Sequence, residues 1–226
     1  MNAQVDPSTA GGALTRQRIV VAAMELFWEK GYQSTSVADL LQRAGVHSGS
    51  LYHYFPGKQD VLIAVLEMYL DGIDAMLLSP AWQHVPDPID KIFALLAKYR
   101  EAIVSTQCTY GCPIGSLALE LHEPDPPVRE RLAANFTAWT DAIHGCLRAA
   151  ASRLPKDVDL AALATFVLTT MEGGVMLART YRDVAPFDAA VAELRAHFGR
   201  LLSSPSRRTR EGKPAVRAQR GKSSRP

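Results

Sequence analysis

The sequence predicts an all-α protein, and three observations carry that prediction. Apolar residues recur three and four apart through almost every segment, no alternating strand is flanked by hairpin signals, and Gly- and Pro-rich breaks divide the chain into about nine helical stretches. The 226 residues, 47% of them hydrophobic, suffice to bury a substantial core.

The first helix is expected from about Thr15, as N-cap, to Lys30, with Ile19, Ala22, Ala23, Leu26 and Phe27 on one face and Gly31 ending it. "STSVADLLQRAG" opens the second, with Ser36 and Asp39 at capping-box spacing and Gly45 as its stop. A third, short helix covers about Ser48 to Tyr54, and the turn "PGK" starts a longer one through Val61, Leu62, Val65, Leu66 and Tyr69. A capped helix, a glycine turn and a short polar helix together outline a helix-turn-helix. Beyond Leu70, "SPAWQHVPDP" reads as a break, "IDKIFALLAKYREAIVS" as a helix, "TQCTYGCP" as a break and "IGSLALELH" as a short helix. Residues 128–152, 159–182 and 187–202 complete the set. Four regions follow: a flexible arm over 1–14, a helix-turn-helix domain over 15–60, a larger ligand-binding and dimerisation bundle over 61–202, and a disordered basic tail over 203–226.

That tail holds eight basic residues against one acidic, a charge of +7, so the rest of a chain of net charge +2 carries −5. It has no Leu, Ile, Phe, Tyr or Trp and cannot repay the entropy of folding. It is either a solubilising extension or an anchor for phosphate backbones. The longest apolar run, Leu160 to Met171, falls short of the roughly 18 residues that cross a bilayer, and the N-terminus lacks signal-peptide features. No membrane partner and a cytoplasmic location are therefore expected. Three cysteines, an odd and small set, agree with a reducing compartment.

The stretch "GVHSGSLYHYFPGKQD", residues 45–60, concentrates Ser, His and Tyr. His47 and His53, six apart on a helix, are separated by about 600° of rotation and face roughly 120° apart, so they cannot chelate one ion. No zinc-like spacing and no Gly-x-Ser-x-Gly elbow is present. A catalytic, metal or cofactor site is not expected here. A helix seated on a duplex needs short polar side chains for base edges, with hydroxyls, amines and helix N-termini for phosphates. Leu51 and Phe55 share the face that packs inward, leaving Ser48, Ser50, Tyr52, His53 and Tyr54 largely elsewhere, although Tyr54 is also readable as partly core. Gly49 is small to admit either DNA or a neighbouring helix.

Residues 15–62 carry a resemblance. "TRQRIVVAAMELFWEKGYQSTSVADLLQRAGVHSGSLYHYFPGKQDVL" is similar, without a gap, to the DNA-binding domain of the TetR family of transcriptional regulators. The matching features are Phe27 followed by Gly31-Tyr32, Thr35-Ser36-Val37 opening the second helix, Ala44-Gly45-Val46 in the turn, and Tyr52-x-Tyr54-Phe55-x-x-Lys58. The resemblance implies an all-helical homodimer whose C-terminal domain binds a small molecule. It also implies phosphate contacts from Thr35 or Ser36 and from Tyr52, Tyr54 and Lys58, with His47, Ser48, Ser50 and His53 at or near the bases. Two features depart from the pattern. Ser48 stands where the family often has a cation, and residues 1–60 hold five basic against five acidic residues. A neutral head implies a shallow salt dependence of DNA binding.

In the bundle, Tyr110, Phe136, Trp139 and Met176 belong to an aromatic and thioether surface that is either ordinary core or the wall of a ligand cavity, with Glu120, His122, Asn135 or Glu172 orienting the ligand. Glu172, beside Gly173-Gly174 in an apolar helix, is the most telling of these. Cys112 sits near the start of a helix, which lowers a thiol's pKa. "GCPIG", residues 111–115, resembles a subgroup in which this region borders the ligand pocket and some members sense electrophiles through a cysteine. Cys112 is thus a candidate sensor or a buried structural cysteine. The leading expectation is a repressor released from a palindromic operator on double-stranded DNA by a small apolar effector, the last two long helices forming the homodimer. The alternatives are thiol sensing through Cys112, a tail-driven nucleoid-type binder, and a remote thiol enzyme using Cys112, His122 and Glu120.

Overall fold

The computed structural model describes residues 7–203, and these form nine helices around one core. Residues 204–226 of the expected tail, and 1–6 of the expected arm, lie outside the described residues. Helix α1, Pro7–Lys30, starts eight residues before the expected N-cap. Gly11-Gly12 reads locally as a breaker, but the helix passes through it, with Gly12 packed so closely on Tyr54 that an added Cβ would lie 3.0 Å from the hydroxyl. Thr15 caps nothing and donates its hydroxyl to Gly11 O one turn back, at 3.0 Å.

Helix α2, Val37–Ala44, starts at the expected capping box, in which Ser36 and Asp39 satisfy each other's backbone N–H groups. Gly45 closes it at φ 61°, a left-handed conformation that glycine adopts without a Cβ clash. Helix α3, Ser48–Tyr54, packs on α1 and is seated by Leu51 and Phe55, both buried. Helix α4 runs over Lys58–Ile73 and then continues where a break was expected, through a π-turn at Asp74–Leu78 into Ser79–Trp82. Pro80 has no N–H for the regular ladder; the wider turn absorbs that gap, so the chain breaks only at Gln83.

Asp87 caps α5, Pro88–Ser105, accepting from Ile89 N at 2.8 Å. Helix α6, Pro113–Glu120, is followed by α7, Pro126–Ala149, α8, Leu160–Tyr181, and α9, Ala185–Ser203. Asn135 of α7 donates to Leu66 O of α4 at 3.0 Å, fixing the bundle to the helix that also packs on α1. Helices α8 and α9 make a close hairpin, in which a Cβ on Gly174 would lie 2.9 Å from the Phe187 ring and 3.3 Å from its Cα.

By length and composition α8 is sufficient to cross a bilayer, contrary to the reading from its apolar run, although only about a third of that apolar window is buried. It packs on α7 and α9, and its outer face leaves Phe166, Met176, Leu177 and Tyr181 exposed.

Two glycine substitutions test the packing. Gly174→Ala should lower unfolding stability by about 1–2 kcal/mol through overpacking. Gly145→Ala, in α7 with nothing within 4 Å, should raise it by about 0.5–1 kcal/mol. Urea denaturation measures both.

Candidate nucleic-acid interface and effector cavity

Helix α3 presents its polar residues as the sequence implies. His47, the N-cap, is exposed with Ser48, Gly49, Tyr52 and His53, while Ser50 and Tyr54 are half-buried. Nothing lies within 4 Å of a Cβ built on Gly49, so no helix of this chain requires its small size. The turn before α3 is held by Arg18, whose Nη2 reaches Ala44 O at 2.5 Å and Gly45 O at 2.9 Å. These are carbonyls left open at the end of α2, and a cation there also matches the negative end of the helix dipole. Sequence reasoning missed Arg18, because its partners are backbone atoms 26 and 27 residues away.

Two expected phosphate contacts face inward instead. Thr35 is 1% exposed and donates its hydroxyl to Gly31 O at 2.7 Å, plugging the end of α1. Lys58 donates to Tyr32 O and Thr35 O, both at 2.9 Å, and rides over the Tyr32 ring at 4.2 Å. Burial pushes the Lys58 pKa down, against the opposing pull of Glu120. Ser36 stays exposed but is engaged in its capping box. The remaining cations of the head are also held. Arg43 pairs with Glu25 and Glu29, Lys30 with Asp39, and Arg16 lies over Phe55.

The bundle encloses a cavity of about 260 Å³ between α4, α5, α6, α7 and α8. Cys112, Phe136, Trp139 and Glu172 line it, together with Tyr69, Tyr99, Asn135 and Lys98. Its wall is almost wholly apolar, yet two buried polar atoms there have no hydrogen-bond partner, Trp139 Nε1 and Glu172 Oε1. The Trp139 and Tyr99 rings meet edge to face, and the indole is near enough to the Tyr99 hydroxyl to pull its pKa down against the larger rise from burial, without a hydrogen bond of good geometry. Burial raises the pKa of Glu172, with the neighbouring Cys112 pulling the other way, and burial also raises those of Tyr99 and Tyr69. Met176 borders an adjoining hollow that shares Cys112, Phe136 and Glu172 with the cavity. Tyr110 lies outside both and stacks on Trp28 of α1, with ring centroids 4.6 Å apart.

Trp28, also missed from sequence, donates Nε1 to Gly111 O at 3.0 Å. Glu120, expected as a ligand-orienting group, instead accepts from Tyr32 N at 2.9 Å and Gln33 N at 2.6 Å. Gly31 is pressed against that carboxylate, where a Cβ would lie 2.9 Å from Oε2. Helix α6 thus borders the cavity at its first turn and grips the α1–α2 loop at its last.

Residues 19–65 match the family described as bacterial regulatory proteins, tetR family, and residues 88–193 match the transcriptional regulator LmrA/YxaF-like C-terminal domain. A relative in Mycobacterium tuberculosis, the HTH-type transcriptional regulator Rv0196, is 36% identical over 187 residues, 80% of this chain and 92% of its own length. The chain belongs to the TetR family of transcriptional regulators. Another relative, the HTH-type transcriptional repressor DhaR of Mycobacterium sp. (strain GP1), is 26% identical over 175 residues, covering 76% of this chain and 86% of its own. The crystal structure of regulatory protein TetR from Rhodobacter sphaeroides superposes with a TM-score of 0.73 at 27% identity, over 81% of this chain and 98% of that one.

As a TetR-family regulator the protein is a DNA-binding transcription factor and not an enzyme, and the remote thiol-enzyme reading falls. Glu120 is occupied by backbone N–H groups, eight residues of helix from Cys112 or about 12 Å along the axis, and His122 is exposed beyond it. The thiol-sensor reading loses its premise as well. Cys112 does cap α6, but it is buried, and burial together with Glu172 pushes its thiol pKa far up rather than down. Iodoacetamide at pH 8 should leave Cys112 unmodified in the native protein and modify it fully in urea, as peptide mass spectrometry would report.

Glu172 gives a pH dependence of defined sign. Its folded pKa is raised, so the folded state holds the proton more tightly than the unfolded one. Stability is greatest below the unfolded carboxyl value near 4.5 and falls as pH rises through the interval up to the folded value. Glu172→Gln should remove that part of the slope, making the variant the more stable protein at neutral pH but not at pH 4, by thermal unfolding across pH.

Proposed function

We propose that the protein is a homodimeric repressor that leaves a palindromic operator when a small, largely apolar effector enters the cavity beside Glu172. The observation that carries this reading is the double engagement of α6. Its N-cap, Cys112, lines the cavity, and its last residue, Glu120, grips Tyr32 and Gln33 in the loop that sets α2 and α3. Occupancy that displaces α6 would shift that loop and with it the angle of the reading head. The effector's leverage is limited to its preference between the two arrangements.

Helix α3 enters the major groove with Ser48, Ser50 and His53 toward base edges, and His47, Tyr52 and Tyr54 toward bases or backbone. Ser36 lies near a phosphate through the N-terminus of α2. Thr35 and Lys58 act from behind, holding the loop. The exposed apolar residues of α8, Phe166, Met176, Leu177 and Tyr181, meet the same face of a second copy, with α9 completing a four-helix interface. The two-fold axis pairs the reading heads, hence the palindrome.

Selection of bound sites from random DNA should return an inverted repeat; recovery of sequences without one rejects the dimeric reading. Gly49→Leu should leave thermal stability within about 1 kcal/mol of wild type, because the site is open. It should weaken operator binding by at least about tenfold in a gel-shift titration, because the new side chain projects from the face that meets the groove.

A further inference from the structure

The effector's polarity is written in the two unpartnered atoms of the cavity. Trp139 is 4% exposed and its indole N–H makes no hydrogen bond of good geometry, with the Tyr99 hydroxyl as a poorly aligned neighbour; an indole nitrogen donates only. Glu172 Oε1 is likewise buried and unpaired in the wall of the same cavity. A buried polar group left without a partner costs roughly 1–3 kcal/mol, so an occupant that serves both atoms is favoured over one that serves neither. The other Glu172 oxygen packs so tightly on α6 that a Cβ on Gly115 would overlap it, which places the carboxyl against the first turn of that helix.

Three common polar groups of small organic molecules answer this pair differently. An ammonium donates only; it would serve Glu172 but leave the indole N–H facing another donor. A carboxylate accepts only; it would serve the indole but be set against Glu172 wherever that group is ionised, and Lys98, the cation in the wall, is already paired with Glu101. A hydroxyl both donates and accepts, so it pairs with the indole N–H and with Glu172, whether that carboxyl is ionised or protonated. The rest of the wall, with Tyr69, Tyr99 and Phe136, is suited to a flat apolar body, and 260 Å³ is below the usual range for drug-sized ligands.

We infer that the cavity selects a small, uncharged aromatic molecule bearing a hydroxyl group, held between Trp139 Nε1 and Glu172 Oε1. The inference rests on the reading of the cavity as the effector site and adds the effector's class to it. Glu172 also adjoins the Cys112 N-cap of α6, so the polar end of the ligand would sit where α6 begins.

Four probes of one size separate the outcomes: naphthalene, 2-naphthol, 2-naphthoate and protonated 2-naphthylmethylamine, each measured by equilibrium dialysis against the full chain at pH 7. The hydroxyl compound should bind about tenfold more tightly than naphthalene, and both charged probes more weakly than the hydroxyl compound. Trp139→Phe should remove most of that tenfold advantage, read as the ratio of 2-naphthol to naphthalene affinity within the same variant. If that variant does not fold, Glu172→Met removes the other pole with the same expected loss. Equal binding of naphthalene and 2-naphthol, or tighter binding of either charged probe, overturns the hydroxyl assignment while leaving the cavity an effector site. Binding of none of the four overturns both the assignment and the effector reading.

Discussion

The carboxylate of Glu120 is the contact through which the two halves of this protein constrain each other. It accepts two consecutive backbone N–H groups, Tyr32 and Gln33, from a loop nearly ninety residues earlier in the chain. Backbone donors cannot be exchanged by rotating a side chain, so the position of α6 and the position of the loop are one variable. Lys58 holds the same loop from the other side through the carbonyls of Tyr32 and Thr35, and Trp28 ties α1 to Gly111 just ahead of α6. The start of α2 is thereby fixed by three groups, none of which belongs to α2.

This arrangement accounts for the neutrality of the reading head. Basic residues that could face phosphates are committed to internal work: Arg18 to the turn, Lys58 to the loop, Arg43 and Lys30 to acidic neighbours. The exposed ion pairs contribute little to stability individually. Their effect is on the field, since paired charges attract a polyanion far less than free ones. With α3 docked as proposed, affinity would come more from hydroxyls, imidazoles and helix N-termini on α2 and α3, contacts that depend on accurate placement, which Arg18, Glu120 and Lys58 would supply.

The cavity beside Glu172 has the opposite character. Its wall is largely apolar, burial shifts Glu172, Tyr69 and Tyr99 toward their neutral forms, and two of its buried polar atoms have no hydrogen-bond partner in the protein. The same desolvation makes Cys112 a poor nucleophile despite its position at a helix start. A helix N-terminus favours a thiolate, but removal from water disfavours it, and at this depth the second effect prevails.

Helix periodicity, the capping box at Ser36 and Asp39, the Gly45 stop and the inward pair Leu51 and Phe55 were all determined by the sequence alone. Each depends on residues within a turn or two of one another, and so did the polar surface of α3 that the family likeness then explained. Tertiary structure decided the rest. It carried α1 through Gly11-Gly12, turned Thr35 and Lys58 inward, moved Glu120 from ligand to loop and Tyr110 from cavity to Trp28, and raised the thiol that local position would have lowered. In each case the deciding partner lies far away in the chain or is a backbone atom with no residue-specific signature. Local spacing fixes which way a side chain leaves its helix; only the packed fold determines what it meets and how much water remains there.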